Sequence, residues 1–109
     1  MIAVVGASGT IGRRVVRFFE EWGAPFVRRD ARLEGAEALD ASDPGAVARA
    51  LDGVSVVVNA ADYRLNVRVM RGALVAGAHY IDLGGLYHVT SGQLGLNGEF
   101  RAAGLGALL

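Results

Sequence analysis

The chain has 109 residues, a formal net charge of zero and no cysteine. This length is typical of one domain, and a hydrophobic share of 52% supplies enough apolar side chains for a core. Zero net charge argues against a bulk attraction to nucleic acid or membranes. The missing cysteines exclude disulfides and thiolate metal sites. No apolar segment reaches bilayer length and no leader precedes the first strand, so we expect a cytoplasmic protein.

Lysine is absent as well, because all 11 basic side chains are arginine. A Tyr-x-x-x-Lys pair, which short-chain dehydrogenases and sugar epimerases need, is therefore impossible within this chain. A Schiff-base lysine is excluded for the same reason. The thiol chemistry of semialdehyde reductases is excluded by the absence of cysteine.

The first predicted element is a buried parallel strand over Ile2–Val5. Gly6, Gly9 and Gly12 follow it in the order Gly-x-x-Gly-x-x-Gly. Gly6 permits the turn, Gly9 lets a diphosphate approach the backbone, and Gly12 lets a helix pack close to the sheet. Apolar spacing predicts that helix over Thr10–Trp22. Its amino end offers free N–H groups and a positive dipole to phosphates, which indicates a dinucleotide site.

The next predicted strand covers residues 25–27, and Arg28, Arg29 and Asp30 follow it directly. Asp30 lies where an acidic side chain accepts the ribose 2′-OH of NAD. Arg28 and Arg29 instead suit the 2′-phosphate of NADP, because a guanidinium offers a fork of charged donors. We therefore predict NADP, with NAD as an alternative. A solvated turn with local ion pairs would need no cofactor at all.

A short third strand is predicted over Glu37–Asp40, which would bring Asp40 and Ala41 to the adenine side of the site. Asp43 then has the pattern of a helix cap, with Pro44 at the first helical position.

The fourth predicted strand, over Val54–Val58, ends in Asn59, Ala60 and Ala61. Small residues at this strand end leave space beside the nicotinamide ribose. Asn59 either bridges the backbone and the ribose or simply caps the strand, and the sequence favours neither role.

After a third helix over Asn66–Ala76, a fifth strand is predicted over His79–Leu83. Ligands bind outside the carboxyl ends of such strands, so Asp82, Tyr87 and His88 are the best-placed candidates on the substrate side. Tyr87 or His88 could pass a proton, although a lone histidine is commonly structural.

A turn or short helix at residues 90–96 comes next, and Asn97 is predicted to cap a final helix that ends at Ala103. A partial sixth strand starts at Leu105. Alternating strands and helices indicate an α/β three-layer Rossmann fold. The predicted parallel sheet has the order 3-2-1-4-5, with the partial sixth strand beside the fifth.

Several segments resemble the saccharopine dehydrogenase family. The most specific is His79–Thr90, which contains Asp-Leu-Gly-Gly-x-Tyr; Gln93-Leu94 and Glu99–Gly104 also resemble the family. The glycine turn, Arg29-Asp30 and Val57–Ala61 extend the similarity over nearly the whole chain. The resemblance implies an NAD(P)-dependent oxidoreductase that acts on a C–N bond of an amino-acid-type substrate. It implies cofactor contacts at Gly6, Ala7, Ser8, Gly9, Thr10, Ile11, Gly12, Arg29, Asp30, Asn59, Ala60 and Ala61.

Family members continue into a second domain that binds the substrate, and we find no such segment in residues 1–109. We therefore expect a Rossmann domain that binds the nicotinamide dinucleotide without a complete catalytic site. Apolar surface left uncovered at the partial sixth strand would favour a homodimer. Two alternatives stay open: a stand-alone NAD(P)-sensing module, and a fold remnant or assembly domain that binds nothing.

Overall fold

The computed structural model describes residues 1–109 and contains one sheet of five parallel strands. The strands are β1 (Ile2–Val5), β2 (Phe26–Arg29), β3 (Val56–Asn59), β4 (His79–Asp82) and β5 (Ala107–Leu108). The helices are α1 (Thr10–Trp22), α2 (Pro44–Ala50), α3 (Asn66–Ala76), α4 (Tyr87–Leu94) and α5 (Asn97–Ala102). Gly35–Glu37 and Tyr63–Leu65 form single 3₁₀ turns.

The strand order is β2-β1-β3-β4-β5, with all neighbours parallel. This is the predicted order without the third predicted strand, so the α/β Rossmann fold is confirmed. The register brings the last residues of four strands into one row, because Val5 pairs with Arg29 and Asn59, and Asn59 pairs with Asp82. The loops that follow these four residues therefore share the carboxyl edge of the sheet, where open α/β folds bind ligands.

The sheet separates two helical layers, because successive strand residues point to opposite faces. Val4 packs on one face with Val16 of α1. Ala3 and Val5 belong to a larger core on the other face, where α2, α3 and α5 supply most of the helical partners. The members of that core contributed by helices and their ends include Val47, Leu51, Val69, Met70, Ala73, Leu96 and Phe100.

The predicted strand over Glu37–Asp40 is wrong. The segment forms the 3₁₀ turn at Gly35–Glu37 followed by an isolated parallel bridge between Asp30 and Ala38. The turn folds the chain back so that the Ala38 amide donates to the Gly35 carbonyl. Only one position is then free to pair beside the end of β2.

Two other predictions concern helix starts. Asp43 caps α2 as predicted, because its Oδ1 accepts the Gly45 amide at 2.9 Å and Pro44 is the first helical residue. Asn97 does not cap α5: Leu96 holds the cap position, and no side chain bonds the amino end. Leu96 is buried, and its amide donates to the Gln93 carbonyl, so the backbone runs almost directly from α4 into α5.

No helix of this structure has the length and apolar character required to cross a membrane.

Candidate dinucleotide-binding site

The glycine turn packs tightly against the loop that follows β3. Gly6 has φ of +77°, and a Cβ atom there would meet the Ala61 amide nitrogen at 2.6 Å. A Cβ atom on Gly12 would collide with the carbonyl of Gly6 and crowd Ala7. Both positions therefore require glycine for folding. Gly9 differs, because its φ of −74° suits any residue and its nearest neighbour, the Gly6 carbonyl, would lie 3.3 Å from a Cβ atom.

The amino end of α1 is available to a ligand. Gly9 is its cap residue, and no side chain accepts a hydrogen bond from the first turn. The first amides of an α-helix have no intrahelical acceptor, and the helix dipole is positive there. A 13-residue helix whose amino end is uncapped beside a glycine turn suits an anion such as a diphosphate.

A cleft of about 290 Å³ opens beside this helix end at the carboxyl edge of the sheet. Its walls come from the ends of β1 and β2, the segment before α2, and the loop after β3. The lining residues are Val5, Gly6, Gly9, Asp30, Ala31, Arg32, Leu39, Asp40, Ala41, Ser42, Ala60, Ala61, Asp62 and Leu65. The cleft therefore brings together most of the strand ends predicted to hold a dinucleotide.

Asp30 acts as a clamp between the glycine turn and the loop after β2. One carboxylate oxygen accepts the Ser8 amide at 2.9 Å, and the other accepts the Arg32 amide at 2.9 Å. The Arg32 guanidinium reaches back toward the Ser8 carbonyl, with Nη1 at 3.4 Å. Arg32 makes no ion pair with an acidic side chain, so its charge is available at the rim of the cleft.

Arg28 and Arg29 do not line the cleft. Arg28 pairs with Glu37, its Nε lying 2.8 Å from Oε2, and Arg29 donates from Nε to the Ala50 carbonyl at 2.9 Å. The two side chains leave opposite faces of β2, because strand residues alternate. The two arginines that the sequence assigned to a 2′-phosphate thus bond elsewhere in the protein, whereas Arg32 lines the cleft.

Asp40 and Ala41, which the sequence assigned to the adenine side, line the cleft. The Ser42 hydroxyl donates to Asp40 at 2.6 Å and the Ser42 amide at 3.0 Å. These bonds lower the pKa of Asp40, the hydroxyl contributing most. Hydrogen bonds from Arg64 likewise lower the pKa of Asp62, which also lines the cleft, and the Arg64 guanidinium offsets the negative charge of the Asp62 carboxylate.

Asn59 has the strand-capping role. It is buried, its Oδ1 accepts the Ala61 amide at 3.2 Å, and its Nδ2 donates to Asn66 and Tyr80. Both hydrogens of Nδ2 are therefore donated within the protein, and Oδ1 holds the loop after β3. Ala60 and Ala61 do line the cleft, so the small residues, not the amide, border the ligand space.

Asp82 faces the interior instead of a substrate. Its Oδ2 accepts the Tyr80 hydroxyl at 2.8 Å and Gln93 Nε2 at 2.6 Å, while Oδ1 accepts the Gly84 amide at 2.7 Å. Burial raises the pKa of the Tyr80 phenol, so Tyr80 stays a donor. The carboxylate that the sequence assigned to the substrate side is thus buried and hydrogen-bonded within the protein.

Tyr87 and His88 begin α4, and both are exposed. Tyr87 is 89% exposed, and neither residue lines the cleft. The structure therefore does not bring these two candidates together with the glycine turn.

Residues 29–108 match the saccharopine dehydrogenase NADP binding domain family. The chain belongs to this family. The match covers most of the 109 residues and includes all the residues that line the cleft except Val5, Gly6 and Gly9, because it begins after the glycine turn. NADP, with NAD as the alternative, is therefore confirmed as the cofactor class.

Solved structures share the fold. A quinone oxidoreductase from Escherichia coli, NADPH-dependent and complexed with NADPH, aligns with a TM-score of 0.69 at 17% identity, over 98% of this chain and 47% of its own. A short-chain dehydrogenase/reductase superfamily protein from Agrobacterium tumefaciens with bound NAD gives 0.62 at 23% identity, over 75% and 31%. MoeE5, in complex with UDP-glucuronic acid and NAD, gives 0.59 at 20% identity, over 74% and 35%. This chain thus spans between 31% and 47% of the length of these proteins.

The sequence did not predict the positions of two side chains in this saccharopine dehydrogenase-type domain. Arg32 follows the Arg28-Arg29 pair so closely that nothing in the sequence says which arginine turns toward the cleft. Gln93 lies eleven residues beyond Asp82 and was noted only as part of the family resemblance. The sequence of α4, Tyr-His-Val-Thr-Ser-Gly-Gln-Leu, has no apolar pattern that would indicate the burial of Gln93.

Proposed function

We propose that the cleft binds NADP(H), with the pyrophosphate at the amino end of α1. The carrying observation is the uncapped helix end, with Gly9 at its cap position, opening into a cleft that has Arg32 at its rim. The residues present fit the cofactor, because free amides and an unpaired guanidinium complement phosphate groups. When bound, NADP(H) supplies or accepts a hydride; this chain binds and orients it.

The contacts of the proposal follow the cleft. Backbone groups of the glycine turn and first helical turn hold the pyrophosphate, and the adenosine lies between Asp30–Arg32 and Asp40–Ser42. Ala60 and Ala61 border the next part of the cofactor. The proposed contact set keeps these predicted residues: Gly6, Ala7, Ser8, Gly9, Thr10, Ile11, Gly12, Asp30, Asp40, Ala41, Ala60 and Ala61.

The preference for NADP over NAD is proposed to come from Arg32. Both carboxylate oxygens of Asp30 already accept backbone amides, from Ser8 and Arg32. The acid that would select a ribose 2′-OH is thus used to hold two loops together, and Arg32, which has no acidic ion-pair partner, lines the same cleft. A 2′-phosphate gains charge-assisted hydrogen bonds from a guanidinium, whereas a 2′-hydroxyl gains little.

Adenosine fragments test this part of the proposal. Adenosine 2′,5′-bisphosphate and adenosine 5′-monophosphate, which differ only in the 2′-phosphate, are titrated separately into the protein by calorimetry. The proposal expects the 2′-phosphorylated fragment to bind at least about tenfold more tightly, equivalent to about 1.4 kcal/mol. Tighter binding of the monophosphate would show that Asp30, not Arg32, governs the choice.

The family supports a role as the cofactor domain of an oxidoreductase, and we extend it to the C–N bond of an amino-acid-type substrate. Tyr87 and His88 stay the substrate-side candidates because they begin α4, beyond the carboxyl end of β4. The test is NADPH absorbance in the presence of a 2-oxo dicarboxylic acid and an amino acid. Oxidation would support the substrate class, and its absence alongside NADPH binding would restrict this chain to cofactor binding.

A homodimer belongs to the same proposal. Val58, Ile81 and Leu108 share one row on the face that α1 covers only at β1 and β2, and Leu108 is 66% exposed. A second copy covering this apolar row would remove it from water in the cytoplasm, the compartment we propose. Light scattering measures the mass in solution, and we expect a dimer for the wild type and a monomer for Leu108→Glu. A monomeric wild type would contradict the proposed dimer.

A further inference from the structure

Five buried polar side chains form a closed hydrogen-bonded ring behind the cleft. The ring consists of Asn59 at the end of β3, Asn66 at the start of α3, Tyr80 and Asp82 on β4, and Gln93 on α4. Asn59 Nδ2 donates to Asn66 Oδ1 at 2.9 Å, and Asn66 Nδ2 to Gln93 Oε1 at 3.4 Å. Gln93 and Tyr80 both donate to Asp82 Oδ2, and Asn59 Nδ2 closes the ring on the Tyr80 hydroxyl at 3.1 Å.

The ring is fully satisfied, since no buried side-chain nitrogen or oxygen lacks a partner. Burying this many polar groups brings little net stability compared with apolar packing. A satisfied buried network does, however, fix its members in one arrangement. Its position at the carboxyl ends of two strands makes that arrangement relevant to the cleft.

Two backbone amides connect the ring to the loops of the site. Asn59 Oδ1 accepts the Ala61 amide at 3.2 Å, and Asp82 Oδ1 accepts the Gly84 amide at 2.7 Å. Ala61 lies so close to the glycine turn that a Cβ atom on Gly6 would approach its amide nitrogen to 2.6 Å. A shift of the ring would therefore move the loop that borders the cleft.

We infer that this ring is a positioning device for the half of the dinucleotide beyond the pyrophosphate. Adenosine is proposed to lie toward β2, so the remainder of the cofactor extends toward the ends of β3 and β4. There the ring holds Ala61 and Gly84. The ring members are positioning residues, because they act through these two amides and not by touching the cofactor.

This inference predicts that removing one hydrogen bond of the ring weakens binding of the whole cofactor but not of its adenosine half. The binding test rests on the proposed function. Tyr80→Phe removes one hydroxyl that both donates to Asp82 and accepts from Asn59, with no change in side-chain volume. We expect NADPH affinity to fall about tenfold, while the affinity for adenosine 2′,5′-bisphosphate changes less than about twofold. Asp82→Asn, which keeps an acceptor for Gly84, should give the same pattern.

Val47→Ala is the matched control, because Val47 is a fully buried core residue that packs between α2 and α3, away from the ring. It should lower the melting temperature while leaving the ratio of the two affinities unchanged. Equal losses for NADPH and the fragment in Tyr80→Phe, or no loss for either, would overturn the inference.

Amide hydrogen exchange provides a readout that needs no cofactor. In Tyr80→Phe the amides of Ala61 and Gly84 should exchange at least about tenfold faster, whereas the Ser8 amide, held by Asp30, should not change. Uniform acceleration of all three amides would indicate general destabilisation and overturn the positioning role. If the wild-type protein fails to bind NADPH, the proposed function fails, and the exchange result still decides the role of the ring.

Discussion

Replacing Gly9 with aspartate should separate the stability of the fold from cofactor binding. The backbone at Gly9 is extended, with φ −74° and ψ 173°, and only the Gly6 carbonyl, at 3.3 Å, would neighbour a new Cβ atom. Aspartate is a favoured helix cap, worth a few tenths of a kcal/mol over glycine. Its charge adds about 0.3–1 kcal/mol at the positive end of the helix. The Gly9→Asp protein should therefore be as stable as wild type, or up to about 1 kcal/mol more stable.

Cofactor binding should respond in the opposite direction. The new carboxylate would take the amides that hold the pyrophosphate and place a negative charge beside it. At about 4 Å and an effective dielectric constant of about 20, each pair of unit charges costs about 4 kcal/mol. Even part of this repulsion predicts at least a 100-fold loss of NADPH affinity, which corresponds to about 2.8 kcal/mol.

Thermal melting and calorimetric titration with NADPH measure the two effects. Gly9→Asn is the matched control, because asparagine caps a helix as well as aspartate but carries no charge. It should lose about tenfold in affinity at equal stability. Tight NADPH binding by Gly9→Asp would place the pyrophosphate elsewhere, and a stability loss above about 2 kcal/mol would contradict the geometry of the turn.

Three further predictions concern the rest of the cleft. In calorimetry, Arg32→Ala should lower the affinity for NADPH about tenfold or more and change the affinity for NADH less than about twofold. Arg28→Ala should leave both affinities unchanged, and equal effects of the two variants would refute the assignment of Arg32. Gly12→Ala should cost about 3 kcal/mol or more in urea denaturation, since its methyl group collides with the backbone carbonyl of Gly6. Ser42→Ala should raise the pKa of Asp40 toward 3.8, which NMR titration measures, and an unchanged pKa would contradict the assigned bonds. In the wild type the lowered pKa of Asp40 stabilises the fold above about pH 3.8. This contribution is lost as the pH falls and the carboxyl group becomes protonated.

The fold could be predicted because its determinants are local. The first helix follows from the spacing of Val15, Phe19 and Trp22 and its glycine start, and Thr10–Trp22 is confirmed as predicted. Asn66–Ala76 is confirmed in the same way. The segment at Glu37–Asp40 failed because a strand needs a neighbour, and the 3₁₀ turn before it leaves room for a single bridge.

Only those features of the candidate site that depend on backbone geometry could be predicted from the sequence. The glycine turn depends on steric limits that spacing reveals, as Gly6 and Gly12 show. The direction of a side chain was not predictable in the same way. Arg28, Arg29 and Arg32 are the same residue type, and they differ only in their hydrogen-bond partners. The buried hydrogen bonds of Asp82 could not be predicted, because Gln93 reaches it only through the packing of α4, although Tyr80 lies on the same strand.

The measurement that most directly tests the account is a calorimetric titration of the folded 109-residue chain with NADPH and, separately, with NADH. The account predicts saturable binding of both, with NADPH at least about tenfold tighter, because Arg32 has no acidic ion-pair partner and Asp30 already accepts two backbone amides. Absence of binding by either cofactor, with the chain shown to be folded, would contradict the assignment of the cleft.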